Sequence, residues 1–332
     1  MEYAAKVLML SAGMLAAGAA IAQRGDRLSA ECRQELLALC RGASEGMRTC
    51  LIRAGPKLSA PCREELDKRT SGSRPLPSGF VEERYGADRK QTLAYARPVL
   101  NRTVPLLVFI HGGGWSIGDK SMSVGDKASH FTEKGWAFVT VNYRLVPKAT
   151  VEQQAADVAG SLAWLRAHAR ERGFDPDRIV IMGHSAGAHL AALVGTDPAY
   201  LKAAGVPMNS VKGVVLLDGA GYDVPAQMAF KGNLVAGMYD AAFGTDAARQ
   251  KALSPTYQAG APNVASWLIL PVERRTDSQS QSNGLATALK QGGSAATVLP
   301  VPGESHMTLN RGLGEGDDFA TGQIDRFLAA LR

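Results

Sequence analysis

From residue 80 onward, short apolar runs alternate with stretches whose apolar positions recur at helical spacing. The runs at 105–110 and 136–141 hold almost no polar residue, the pattern of strands covered on both faces. Similar runs at 178–182, 211–217, 266–270 and 296–300 predict further strands, and 80–85 and 91–96 read as edge strands. Residues 151–172 and the Ala- and Leu-rich stretch that begins at Ser185 predict helices. An amphipathic helix is predicted over 317–331. Strands alternating with helices predict an α/β fold with a mostly parallel central sheet.

The first 79 residues read differently. Lys6 precedes an apolar run at 7–10 that continues through small residues to Ala20, and Ala20-Ile21-Ala22 supplies a small-x-small site before Gln23. This predicts a cleaved leader over 1–22 and export to a periplasm or beyond the cell. The apolar core is short for a spanning helix and no later segment is apolar enough to cross a bilayer, so stable membrane insertion is not expected. Residues 23–66 predict a small cysteine-rich helical segment. Residues 67–79, with two Pro, two Gly and no periodicity, predict a linker to a large domain at 80–332.

All four cysteines, Cys32, Cys40, Cys50 and Cys62, lie in that small segment. An even count in a small exported unit predicts two disulfides, with the three pairings open. The spacings are not C-x-x-C and the segment has no His, which argues against zinc. Leu28-Ser29-Ala30-Glu31-Cys32 returns as Leu58-Ser59-Ala60-Pro61-Cys62, with Ser29 and Ser59 placed to cap helices. In this phrase and its spacing, residues 28–66 resemble the cysteine-rich repeat of the Golgi apparatus protein family. The expected role of such a unit is a stapled appendage or a docking module for a partner.

Composition changes this picture little. The chain of 332 residues is 45% hydrophobic and 20% charged, which suits one large domain and an appendage. The net charge of +6 falls mostly within 23–79 and no basic-aromatic stripe accompanies it, so nucleic acid is not an expected partner.

The chemistry concentrates in two motifs. Gly183-His184-Ser185-Ala186-Gly187 follows the apolar run at 178–182, and His111-Gly112-Gly113-Gly114-Trp115 follows the run at 105–110. A serine in a sharp strand-to-helix turn holds its hydroxyl clear of the backbone, and small neighbours avoid collisions there. A glycine run lets backbone N–H groups approach a substrate oxygen. Asn142-Tyr143-Arg144-Leu145 and Tyr85-Gly86 complete a longer phrase. Together these residues resemble the carboxylesterase/lipase branch of the α/β-hydrolases, above all the hormone-sensitive-lipase-like esterases and the BD-FAE-type carboxylesterases, over about residues 80–332.

The resemblance implies a serine carboxylic-ester hydrolase with Ser185 as nucleophile and an oxyanion hole from the N–H groups of Gly113, Gly114 and Ala186. It implies a base late in the chain, and His306 has that place among the six histidines; His111 is expected to brace its loop. The acid is expected after the 266–270 strand, which selects Asp277, although Glu273-Arg274-Arg275-Thr276-Asp277 departs from the family's Gly-x-x-Asp phrase. Glu273, Asp218 and Asp223 are the other carboxylates in range. Arg144 and Asp157 are expected to form a structural ion pair, and Trp115 and Tyr143 to line the pocket. No cofactor or metal is implied. No long apolar lid helix is evident in 218–262, which favours short-chain or aromatic esters, with feruloyl or acetylated-carbohydrate esters suited to an exported enzyme. Rival expectations are an arylformamidase-like amide hydrolase and a non-catalytic binding or adhesion protein on the same fold.

Overall fold

The computed structural model describes residues 29–40, 57–62, 76–122, 124–230, 236–260, 262–316 and 318–331. The expected leader at 1–22, Cys50 and residues 67–75 of the expected linker lie outside them. Eight strands form one sheet: β1 (Val81–Arg84), β2 (Thr92–Ala96), β3 (Val104–Ile110), β4 (Ala137–Val141), β5 (Phe174–His184), β6 (Val211–Leu217), β7 (Ser266–Leu270) and β8 (Ala295–Val298). Their spatial order is β1-β2-β4-β3-β5-β6-β7-β8. β1 and β2 are antiparallel to their neighbours, and every pairing from β4 through β8 is parallel.

The apolar runs explain this placement. Every residue of β3 and β4 is buried, whereas β1, Val-Glu-Glu-Arg, is mostly exposed and sits at the sheet edge, where charge discourages further pairing. Side chains alternate across the sheet. Leu106, Val108, Ile110, Ile181 and Leu216 join one core layer with helices α3 (Val151–Ala167) and α4 (Ala186–Thr196). Leu107, Phe109, Val180, Met182 and Leu217 face the other layer, which includes Phe131 of α2 (Lys127–Glu133), Leu309 of α9 (His306–Arg311) and Ile324 and Leu328 of α10 (Phe319–Ala330). Between α4 and α9 the chain also forms α5 (Val224–Ala229), α6 (Ala236–Phe243), α7 (Ala247–Ala252) and α8 (Thr276–Gln291). No helix among the described residues is long and apolar enough to cross a membrane.

Two local differences have physical causes. The helix expected over 151–172 begins at a Thr150–Gln153 capping box but breaks at His168, whose Nδ1 bonds the Trp164 carbonyl at 2.8 Å. β5 starts four residues earlier than expected, because Phe174 pairs with Val104 and is buried against Tyr95.

In the N-terminal segment, helix α1 (Ala30–Cys40) is capped by Ser29, whose Oγ accepts from Cys32 N at 3.2 Å. Ser59 does the same for Cys62 N at 3.3 Å. A disulfide joins Cys32 to Cys62, with Leu36 and Leu58 buried beside it, and this selects one bridge from the open pairings. Cys40 is also disulfide-bonded.

Strand register places the chemistry. Ile110 pairs with Gly183, and Gly183 and His184 pair with Leu216 and Leu217. The residues that follow β3, β5 and β6 therefore emerge side by side at the carboxyl edge of the sheet, where open α/β sheets gather their functional groups.

Candidate active site

Ser185 stands between β5 and α4 with φ 58° and ψ −122°, a conformation rare for a residue with a Cβ. Its N–H bonds Leu217 O at 3.0 Å, which ties the turn to β6. The turn is possible only because the residues two positions before and after it, Gly183 and Gly187, lack side chains. A Cβ on Gly183 would lie 2.2 Å from Gly187 O, and one on Gly187 would lie 2.2 Å from Ile110 O. The hydroxyl is thereby presented at the head of α4, whose N-terminal dipole favours negative charge.

His306 reaches the hydroxyl from the N-terminus of α9. Its Nε2 lies 3.0 Å from Ser185 Oγ, and its Nδ1 lies 2.6 Å from Asp218 Oδ2. Ser305 starts α9 with a capping box to Thr308, which fixes the backbone at this point. His184, one residue before the serine, donates from Nε2 to the His306 carbonyl at 2.8 Å, and the two rings lie 4.5 Å apart. Burial, reinforced by His306, holds the His184 imidazole well below its usual range, so it is neutral and keeps this role across ordinary pH.

The carboxylate facing His306 is Asp218, not Asp277. Asp218 directly follows β6, the neighbour of β5, and its own N–H bonds Leu270 O at 2.9 Å. Its φ of 43° turns the fully buried side chain toward His306, and its Oδ1 accepts from Val272 N at 2.9 Å. Burial alone would raise this carboxyl. The His306 hydrogen bond, the Arg275 and His306 charges and the Val272 N–H overcome it and hold Asp218 well below the ordinary carboxylate range. Asp277 lies in the first turn of α8, where its Oδ2 accepts from Arg275 Nη2 at 2.7 Å and Gln227 Nε2 at 3.3 Å. The intervening residue is the reason: Arg275 occupies the place beside His306, with Nη1 2.7 Å from Asp218 Oδ2 and 2.9 Å from His306 Nδ1. Of the other carboxylates in range, Asp223 caps α5.

The glycine loop lies against the turn. Gly113 has φ 123°, and a Cβ there would sit 1.9 Å from Ile117 O, so only glycine fits. Gly114 also has positive φ, at 58°. The Ala186 N–H opens α4, where first-turn amides have no intrahelical acceptor. His111 stays outside the Ser185–His306–Asp218 chain. Its Nδ1 bonds Gly112 O at 2.7 Å, and burial pushes its pKa down to about 4.

Tyr143 is fully buried, stacked on His111 at 4.4 Å with its hydroxyl donating to His111 O at 2.8 Å. It supports the loop from beneath and does not line an open pocket. Trp115 is likewise buried, packed on Tyr239 at 5.0 Å and Phe243 at 4.8 Å. Arg144 and Asp157 pair through two short contacts, Nη2 to Oδ1 at 2.7 Å and Nε to Oδ2 at 2.8 Å.

Two buried groups had no signal in the sequence. His189 joins three elements. Trp115 Nε1 can only donate, so His189 Nδ1 accepts from it at 3.3 Å, and Nε2 carries the proton to Leu253 O at 2.8 Å. Burial lowers this imidazole to about 4. Lys127 of α2 is fully buried and its Nζ donates to the Asn310 carbonyl in the helix that carries His306. Burial lowers its pKa to about 7 against the opposing pull of Glu315, Asp126 and Asp318.

Residues 94–217, the segment that holds both motifs, match the BD-FAE family model. The chain is 43% identical over 99 residues to the probable carboxylic ester hydrolase LipM of Mycobacterium tuberculosis, covering 30% of this chain and 23% of that one. It is 33% identical over 123 residues to the carboxylesterase NlhH of the same species, covering 36% of this chain and 39% of that one. The chain thus spans well under two thirds of these relatives. Among solved structures, esterase B from Lactobacillus Rhamnosis superposes with a TM-score of 0.65 at 23% identity, over 85% of this chain and 96% of that one. Thermogutta terrifontis esterase 2 superposes at 0.61 and 25% identity, over 79% and 95%. With its strand order and the strained turn at Ser185, this likeness shows that the chain has the α/β-hydrolase fold.

Proposed function

We propose that the protein is a serine hydrolase of carboxylic esters. The observation that carries the reading is the unbroken line from Ser185 Oγ through His306 to the buried Asp218 carboxylate, at 3.0 and 2.6 Å. Asp218 accepts a hydrogen bond from Nδ1–H, which keeps that proton on Nδ1 and leaves Nε2 as a base facing the hydroxyl. Oγ attacks the ester carbonyl as its proton passes to Nε2, and the tetrahedral oxyanion is held by the N–H groups of Gly113, Gly114 and Ala186. The C–O bond to the alcohol then breaks, and His306 returns the proton to the leaving oxygen. Water repeats the sequence on the Ser185 acyl ester, giving the free acid and the resting serine. The relatives named as esterases support the bond type.

The acyl group is short or aromatic in this reading. Trp115 directly follows the glycine run and is fastened to His189, one helical turn beyond Ser185, and with Tyr239 and Phe243 it forms a packed wall there. A series of p-nitrophenyl esters tests this. The reading expects acetate and butyrate to be favoured over decanoate by about tenfold or more in kcat/KM, with all turnover lost in Ser185→Ala. Preference for decanoate overturns the short-chain assignment, and turnover surviving in Ser185→Ala overturns the hydrolase assignment.

Export belongs to the same reading. The pattern at 1–22 and the Cys32–Cys62 bridge both suit an oxidising compartment. Mass analysis of the mature chain is expected to give an N-terminus at Gln23, and an intact Met1 in a cytosolic fraction contradicts it.

A further inference from the structure

We infer that Asp277 is a positioning residue that balances the charge of Arg275, so that Asp218 keeps its negative charge available to His306. The inference rests on Asp218 serving His306, as proposed above. Arg275 Nη1 and His306 Nδ1 converge on the same oxygen, Asp218 Oδ2, at 2.7 and 2.6 Å, and lie 2.9 Å from each other. A guanidinium only donates, and Nδ1 must also donate if Nε2 is to act as a base. The guanidinium and the forming imidazolium therefore compete for one acceptor as His306 takes up the serine proton. Alone, Arg275 would cancel Asp218 and oppose the imidazolium that forms in each transition state. Asp277 removes that conflict, because its Oδ2 draws Nη2 of the same guanidinium at 2.7 Å. Gln227 steadies Asp277 from α5 at 3.3 Å.

Charge counting makes the argument specific. With His306 neutral, Asp218, Arg275 and Asp277 sum to one negative charge, and protonating His306 brings the group to zero. Without Asp277 the same step runs from zero to one positive charge. Without both Arg275 and Asp277 it again runs from one negative charge to zero. The other titratable groups around His306 do not supply this balance. His184, from the end of β5, is neutral, Tyr222 and Tyr239, beside Asp218 and Arg275, are kept neutral by burial, Lys127 of α2 can add only positive charge, and Glu304 is two residues before His306 on its own loop. The arrangement lets Arg275 fix Asp218 at the carboxyl edge of the sheet without taking its charge from His306.

The test is the pH profile of kcat/KM for p-nitrophenyl butyrate in the full chain. Asp277→Asn is expected to lower the plateau about tenfold and move the acid limb about one unit to lower pH, since imidazolium becomes harder to form. Arg275→Gln is expected to move the acid limb to higher pH. The double variant is expected to return the limb to within about 0.3 unit of wild type and to exceed Asp277→Asn in rate. An unshifted limb in Asp277→Asn, or a double variant no faster than it, overturns the inference while leaving Asp218 as the acid. Activity retained in Asp218→Asn overturns the underlying triad instead.

Discussion

Replacing Asp218 by Asn keeps the size of the side chain and changes what it offers to its three donors. In the wild type, Oδ1 accepts from Val272 N at 2.9 Å, while Oδ2 accepts from His306 Nδ1 at 2.6 Å and Arg275 Nη1 at 2.7 Å. An amide has one oxygen. If that oxygen stays on the Val272 N–H, an NH2 group faces both His306 and Arg275, and Nδ1 must become an acceptor. The proton then sits on Nε2, pointed at Ser185 Oγ 3.0 Å away, and the base is lost in its resting tautomer. The imidazolium also loses a fully buried counter-charge. Losing the acid in this way lowers turnover by roughly 10³ to 10⁴, or about 4 to 5.5 kcal/mol of transition-state stabilisation. The assay is steady-state hydrolysis of p-nitrophenyl butyrate, with KM expected to change little because the ester does not touch Asp218. A variant that keeps more than about a tenth of wild-type kcat/KM, with Asp277→Asn collapsing instead, would refute the reasoning.

Other consequences follow from buried groups. Lys127 has its pKa lowered to about 7, so between that value and its unfolded pKa the unfolded chain binds more protons and stability rises with pH. Relative to Lys127→Met, the wild type is expected to gain stability on the order of 4 kcal/mol between pH 6 and pH 10, read by urea unfolding; a pH-independent difference contradicts this. His111 and His189 are both held to about 4 by burial, so each makes the fold less stable as pH falls from the unfolded value near 6.5 toward 4. His189→Gln is expected to flatten the fall in Tm over that range, and an equally steep fall would rule out this origin. Gly113→Ala places a Cβ 1.9 Å from Ile117 O at φ 123°, so kcat is expected to drop by roughly 10² or more, with the circular dichroism of the fold retained. Near-normal turnover would remove Gly113 from the oxyanion hole.

The sheet was legible because burial on both faces writes itself as continuous apolar runs. The runs expected at 105–110, 136–141, 211–217 and 266–270 are β3, β4, β6 and β7 nearly residue for residue. Ser185 and the glycine loop were legible because a turn without room for side chains demands glycine at fixed spacing. His306 was found by its order in the chain. The carboxylate was not legible in that way, because distance along the chain does not reveal which strand end adjoins the turn. Asp218 follows β6, whose pairing with β5 brings it beside His306, and only the register shows this. Asp277 had the expected sequence position, but Arg275 stands two residues before it and takes the place at His306. Lys127 has no local pattern that marks it as buried; it lies over the Phe109 ring of β3 at 5.6 Å and donates to the Asn310 carbonyl of α9, contacts that only the tertiary fold brings together. The buried roles of His184 and His189 were similarly hidden, since His184 lies in a motif whose serine accounts for its spacing and His189 lies in an apolar helix with nothing local to mark its partners.

The central claim is that Ser185 is a nucleophile activated by His306 and Asp218. Its most direct measurement is peptide mapping after reaction of the folded protein with a fluorophosphonate. The account predicts one adduct, on the peptide containing Ser185, absent in Ser185→Ala and formed at least about a hundredfold more slowly in Asp218→Asn. An adduct on any other residue, or no adduct in protein that retains its fold, would contradict it.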